Sequence, residues 1–307
     1  MAKIILDWNE YTRTAIEAAK EGAVLIRNEG SALPVAKDSD IAVFGRMQSN
    51  YYKSGTGFGG MVNVDHVTDI FEALSDDPDI RIDQKIRDIY VEWEKENPVD
   101  PGVGWGQERW SQDEMILNED DVREAASRCD TAVIVIARTA GEDRDNLAQK
   151  GSFYLTDGEE DMLSKVCGAF KKTVVLLNVG NIIDMSFVGK YSPSSVMYVW
   201  QAGMIGGTAV AELITGKTTP SGCLTDTVAY ELSDHPSNDN FGNKDINRDL
   251  YAEDIFVGYR YFSTFAPEKV MYPFGYGLSY TTFDIRTESF EANGTDIKVK
   301  VTVTNTG

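Results

Sequence analysis

The sequence predicts an α/β fold, a mostly parallel sheet sandwiched by helices and followed by the start of an all-β module. Three observations carry this. Short apolar runs alternate with amphipathic helical patterns over residues 1–230, as βα units on a parallel sheet require. The texture then turns polar and aromatic over 231–284. Finally, within 285–307, residues 297–304 alternate apolar and polar side chains with a period of two.

In chain order, residues 8–27 carry Ala15, Ala18, Ala19, Ala23 and Leu25 at roughly helical spacing and run into Asn28-Glu29-Gly30, a stop signal. A buried strand is expected at 41–44, ending at Gly45. Further apolar runs at 132–137, 174–179 and 196–200 are expected to pair beside it. Helical patterns lie at 120–128, 157–170 and 205–213. Residues 232–250, rich in Asn, Asp and Gly, suit a long surface excursion. Aromatics crowd the chain from Tyr251 to Tyr280, and such residues are more often core than ligand platform. The same holds for the Tyr51-Tyr52 pair. Ile297, Val299, Val301 and Val303 then define a half-buried strand, with Asn293-Gly294 before it as a tight hairpin turn.

Composition narrows the function classes. The 307 residues are 42% hydrophobic and 25% charged, as in ordinary globular domains. A formal charge of −20 repels phosphate backbones and anionic bilayers, so neither nucleic acid nor membrane is an expected partner. No apolar run reaches membrane-spanning length, and the first residues turn acidic before they could form a signal-peptide core. Cys129, Cys167 and Cys223 match no disulfide framework or zinc site; they are expected as small core residues in a reducing, cytoplasmic setting. His66 and His235 stand far apart in sequence, so no metal and no cofactor is expected.

The motifs differ in weight. Gly55-Thr56-Gly57-Phe58-Gly59-Gly60 satisfies G-x-G-x-x-G, but some ten residues separate it from its strand and a poor helix start follows. A flexible or close-packed glycine loop at the carboxyl edge of the first strand suits it better than a dinucleotide site, and such a loop can line a sugar site through Gly57 and Phe58. Asn293-Gly294-Thr295 is formally a glycosylation acceptor that the turn explains. Thr139-Ala140-Gly141-Glu142-Asp143-Arg144 follows a buried strand, where open α/β sheets bind ligands. Glu142 there is a candidate general acid, and Arg144 a candidate substrate contact. The bland alternative is a solvated loop ion pair. No second carboxylate for glycoside hydrolysis stands out in the chain.

Ala23-Val24-Leu25-Ile26-Arg27-Asn28-Glu29-Gly30 with Ala32-Leu33-Pro34 is similar to the opening of the α/β sandwich domain of glycoside hydrolase family 3. Gly141-Glu142-Asp143-Arg144, Lys150-Gly151-Ser152-Phe153-Tyr154-Leu155 and Val175-Leu176-Leu177-Asn178-Val179-Gly180 continue the resemblance. So do Val199-Trp200-Gln201-Ala202-Gly203, Gly216-Lys217 with Pro220-Ser221-Gly222, and Val257-Gly258-Tyr259-Arg260-Tyr261-Phe262. The last, Tyr272-Pro273-Phe274-Gly275-Tyr276-Gly277-Leu278-Ser279-Tyr280, brings it close to the end of the chain. Two positions depart. Related sequences often place Gly-Tyr between the Glu and the Asp-Arg pair, and Lys-Leu-Pro is here Cys223-Leu224-Thr225.

The resemblance implies a retaining β-glucosidase acting on terminal β-linked glucose, or a β-xylosidase or β-N-acetylglucosaminidase of the same family. It implies that a (β/α)₈ barrel, on the same or a partner chain, supplies an aspartate nucleophile, and that Glu142 is the acid/base. It also implies an inverted order in which the sandwich (1–230) and its aromatic-rich segment (231–284) precede a fibronectin-III-like module opening at 285–307. On this reading the chain alone is incomplete and inactive, and is compatible with self-association. The competing expectation is a non-catalytic sugar-binding or assembly domain.

Overall fold

The structure, a computed structural model, describes residues 6–56, 62–104, 106–142, 146–239, 247–248 and 250–307. The first helix, α1 (Trp8–Gly22), starts where the Asp7 carboxylate accepts from the amides of Asn9 and Glu10. It ends at Gly22, short of the Arg27 expected from sequence. Residues Val24–Asn28 instead form β1, whose Val24, Leu25 and Ile26 are buried. A Val-Leu-Ile run is compatible with either period, and the sheet's demand for an edge strand decided it.

β2 (Ser39–Phe44) leads through α2 (Ile70–Ser75) to β3 (Ile80–Ile82), and α3 (Gln84–Glu96) and α4 (Glu119–Arg128) return the chain to β4 (Thr131–Arg138). Then α5 (Asp157–Ala169), β5 (Lys172–Val179), α6 (Ser186–Tyr191), β6 (Ser195–Tyr198) and α7 (Gly206–Ile214) complete the sandwich. The sheet order is β1-β6-β5-β4-β2-β3, all neighbours parallel except β1 with β6. The expected strands are present with ends shifted by one to two residues. The 70–96 stretch, which yields α2, β3 and α3, was not anticipated.

Alternation along the strands divides the core in two. Phe44, Ile134, Ile136, Val175, Leu177 and Val196 pack against α3 to α6, while Val43, Val133, Val135, Val174, Leu176 and Met197 pack against α2 and α7. This double-sided burial is why the strands read as continuous apolar runs. From β2 the chain moves outward to β3, whereas from β4 it moves the opposite way to β5 and β6. The winding therefore reverses between β2 and β4, and the loops leaving their carboxyl ends stand at a topological switch point, the crevice position at which open α/β sheets bind ligands.

Beyond the sandwich, β7 (Val228–Ala229) pairs antiparallel with β8 (Val270–Tyr272), after α8 (Tyr259–Phe265). The tail crosses the outer edge of β1: the Leu278 amide donates to Leu25 O and the Tyr276 hydroxyl to Ile26 O. Tyr280 donates to Leu213 O. Of the aromatic cluster, Phe262 is buried, but Tyr251, Phe265 and Phe274 are exposed.

The terminal β9 (Phe283–Asn293) and β10 (Asp296–Asn305) form the expected hairpin, with Gly294 at φ 62° in the turn. The expected half-burial does not hold: Ile297, Val299, Val301 and Val303 are 49–62% exposed. The two strands pair with each other, and among the described residues no second layer covers their apolar face. Cys223 is also exposed rather than core, while Cys129 is buried and Cys167 half-buried. Its position in an extended loop, between the Gly222 amide bonded to Ala23 O and the Leu224 amide bonded to Tyr276 O, turns it outward.

Candidate functional site at the sheet crevice

The loops leaving β2 and β4 meet at the crevice. The Thr56 amide donates to Ala140 O at 2.8 Å, and the Glu142 amide donates to Thr56 O at 3.1 Å, making a one-residue parallel bridge between Thr56 and Gly141. Two glycines make this approach possible. Gly45, at φ 96°, turns the chain off β2, and a Cβ there would meet Val135 O at 2.3 Å. A Cβ on Gly141 would meet the Thr56 Cβ at 2.5 Å.

Glu142 follows directly, in a turn, with its side chain exposed. A carboxylate held by its backbone at this loop junction and exposed to solvent can exchange protons with a ligand docked over the sheet edge. Thr56 itself is buried, and its hydroxyl donates to Glu108 Oε2 at 2.7 Å. Gly57, Phe58 and Arg144 lie outside the described residues, immediately beyond Thr56 on one loop and close after Glu142 on the other.

The base of the Glu142 loop is clamped. Arg138, the last residue of β4, forks onto Glu159 of α5 with Nη1–Oε1 2.5 Å and Nη2–Oε2 2.7 Å, both residues being almost fully buried. It also donates to the carbonyls of Ser152, Tyr154 and Ala137. Glu159 in turn accepts from the Thr156 amide, and the Thr156 hydroxyl accepts from the Glu159 amide. This capping box fixes where the loop ends and α5 begins.

The neighbouring loops are pinned similarly. Asn178, fully buried at the end of β5, donates to Tyr52 O and Trp200 O and accepts from the Tyr52 amide. Tyr51 is core, its hydroxyl accepting from the Ala202 amide. The Tyr51-Tyr52 pair is thus framework, as its composition suggested. Behind the crevice, Glu114 accepts from the amides of Arg46 and Met115, and desolvation raises its carboxyl pKa to about 7, with the nearby Glu159 charge adding to the shift.

Sequence reasoning singled out Glu142 but missed Thr56, Glu108, Arg138 and Glu159. Two signals were available: an arginine ending an otherwise apolar strand, and Thr156-x-x-Glu159 opening an apolar helix. Nothing local marks Glu108. Of the two histidines, His66 is exposed and pairs with Glu72 at 2.8 Å, and His235 stands edge-on to Phe262. No cluster of three or more His, Cys, Asp or Glu side chains able to hold a metal occurs among the described residues. An open groove of about 680 Å³ lies along α8, lined by Ile255, Phe256, Tyr259, Arg260, Ser263 and Thr264. None of its lining residues belongs to the crevice loops.

A doubly wound sheet presenting a backbone-tethered glutamate at its switch point defines a ligand-handling α/β domain. Comparison with known proteins makes that class specific. The glycosyl hydrolase family 3 C-terminal domain matches residues 23–280, and the chain belongs to that family. A β-glucosidase from Ruminococcus albus is 52% identical over 299 residues, covering 97% of this chain and 31% of that protein. Beta-glucosidase A from Butyrivibrio fibrisolvens is 38% identical, covering 97% of this chain and 40% of that protein. The solved structure of a β-glucosidase from Paenibacillus barengoltzii superposes with TM-score 0.94 at 46% identity, over all of this chain and 34% of that one. Beta-glucosidase 3B from Thermotoga neapolitana, solved in complex with glucose, gives 0.88 at 34% identity, over 98% of this chain and 42% of that one. The chain thus spans between about a third and two-fifths of the length of these relatives.

Proposed function

We propose that this chain is the acid/base-bearing part of a retaining β-glucosidase. Glu142 protonates the glycosidic oxygen as the glycosyl-enzyme forms, then takes a proton from the water that releases the sugar. The nucleophilic aspartate lies on a (β/α)₈ barrel outside this chain, which binds the β-glucoside across the crevice; Gly57, Phe58 and Arg144 flank the sugar. The observation that carries this reading is the position of Glu142, exposed at the switch point and fixed through its backbone to the opposite loop.

The same reading assigns 1–230 to the sandwich, 231–284 to a strap packed on it, and 285–307 to the opening hairpin of a fibronectin-III-like module. The uncovered apolar face of β9–β10 supports that assignment, since an isolated hairpin is marginal in water. The sugar is the less constrained element. An exo-α-(1→6)-L-arabinopyranosidase from Bifidobacterium breve is 27% identical over 98% of this chain, so a similar domain serves a protein named for another sugar.

In the full-length enzyme, Glu142→Gly should lower kcat/KM on alkyl β-glucosides by about 10²- to 10⁴-fold. The loss should be much smaller on 2,4-dinitrophenyl β-glucoside, whose leaving group needs no acid. Azide should restore turnover and yield β-glucosyl azide. Unchanged kinetics would exclude the role.

A further inference from the structure

We propose that Thr56 is a positioning residue for Glu142, and that Glu108 anchors it. The inference rests on the acid/base reading of Glu142 and extends it to the opposite loop. Three contacts converge on Thr56. Its amide is bound to Ala140 O, its carbonyl receives the Glu142 amide, and its hydroxyl is bound to Glu108 at 2.7 Å. The two backbone bonds hold the peptide on either side of Gly141, so the direction in which Glu142 leaves the loop is set by where Thr56 sits. Glu108 sets that in turn, because a hydrogen bond to a carboxylate is short and directional.

The close packing excludes slack. Thr56 is 4% exposed, and Gly141 approaches its Cβ so closely that no other residue fits without displacing it. Glu108 belongs to a third segment, between α3 and α4, whose Trp110 carbonyl accepts the Thr139 amide at the start of the same loop. The Glu142 loop is therefore braced from two sides: by the β2 loop through Thr56, and by the 108–110 segment directly and through Thr56. Proton delivery tolerates little misplacement of the acid, since the transferring atoms must come within hydrogen-bond reach. A brace of this kind governs the acid step and leaves the nucleophile untouched.

The test uses the full-length enzyme and two substrates, an alkyl β-glucoside and 2,4-dinitrophenyl β-glucoside. Thr56→Val keeps the branched shape and removes the hydroxyl; Thr56→Ser keeps the hydroxyl. Thr56→Val should lower kcat/KM on the alkyl glucoside by about tenfold, change it less than about twofold on the activated substrate, and shift the basic limb of the pH profile. Thr56→Ser should match the unsubstituted enzyme in all three. Glu108→Leu should reproduce the Thr56→Val pattern and Glu108→Gln, which retains an acceptor oxygen, should not. The Glu108 pair carries the test if Thr56→Val fails to fold. Equal losses on both substrates, or no loss on either, would overturn the proposal. Failure of the underlying reading looks different: Glu142→Gly would then leave alkyl glucoside hydrolysis intact.

Discussion

Arg138 and Glu159 show how one pair of residues shapes the site without reaching it. Taking two charges out of water is costly, and the pair persists because the fork is bidentate and the remaining hydrogens find carbonyls. Removing one partner strands the other. Glu159→Gln or Arg138→Met should destabilise the domain by about 3–5 kcal/mol, read as a fall in the urea midpoint. The double replacement Arg138→Met with Glu159→Met should cost less than the sum of the singles, which a double-mutant cycle will measure. Additive losses would mean that the two side chains act independently.

At the scale of elements, the Glu114 segment gives the crevice a pH response of its own. Its carboxyl titrates near 7 in the folded chain because burial disfavours the charge. The ordinary glutamate value lies well below that, so the folded state binds the extra proton and stability falls as pH rises from about 4.5 to about 7. Glu114→Gln should flatten that slope and raise stability at pH 8 by on the order of 1 kcal/mol. Thermal denaturation across pH 5–8 reads it directly; a slope unchanged by the substitution would assign the response to another group.

The elements also show what sequence reveals. Strands buried on both faces were legible as near-continuous apolar runs: β4 is buried at every position and is apolar from Ala132 to Ala137. β1 was not legible, since five residues beside a helix carry no period that separates helix from strand, and only β6, far along the chain, makes Val24–Asn28 extended. The position of Glu142 at the loop junction was legible from its place just after β4. Thr56 and Glu108 were not, because their roles exist only where three loops converge, and spacing in one loop says nothing about the next.

For the molecule as a whole, the proposed division of labour makes a direct prediction. The 307-residue chain by itself should not hydrolyse aryl β-glucosides above the buffer rate, in a discontinuous assay at micromolar protein, because Glu142 would have no glycosyl-enzyme to act on. Turnover by the isolated chain would place a nucleophile within it. The −20 charge suits a neutral sugar and disfavours polyanions. Among the described residues no helix is long and apolar enough to cross a membrane.

The antiparallel edge strand has a consequence for how the domain is assembled. β1 waits for β6, about 170 residues later, with Ser195 and Arg27 in contact across a separation of 168. Its outer side is crossed by the tail, where the Leu278 amide bonds to Leu25 O and the Tyr276 hydroxyl to Ile26 O across 250 residues. Within this chain β1 is therefore synthesised long before its partner, while β4 and β5, nearer in sequence, can pair earlier.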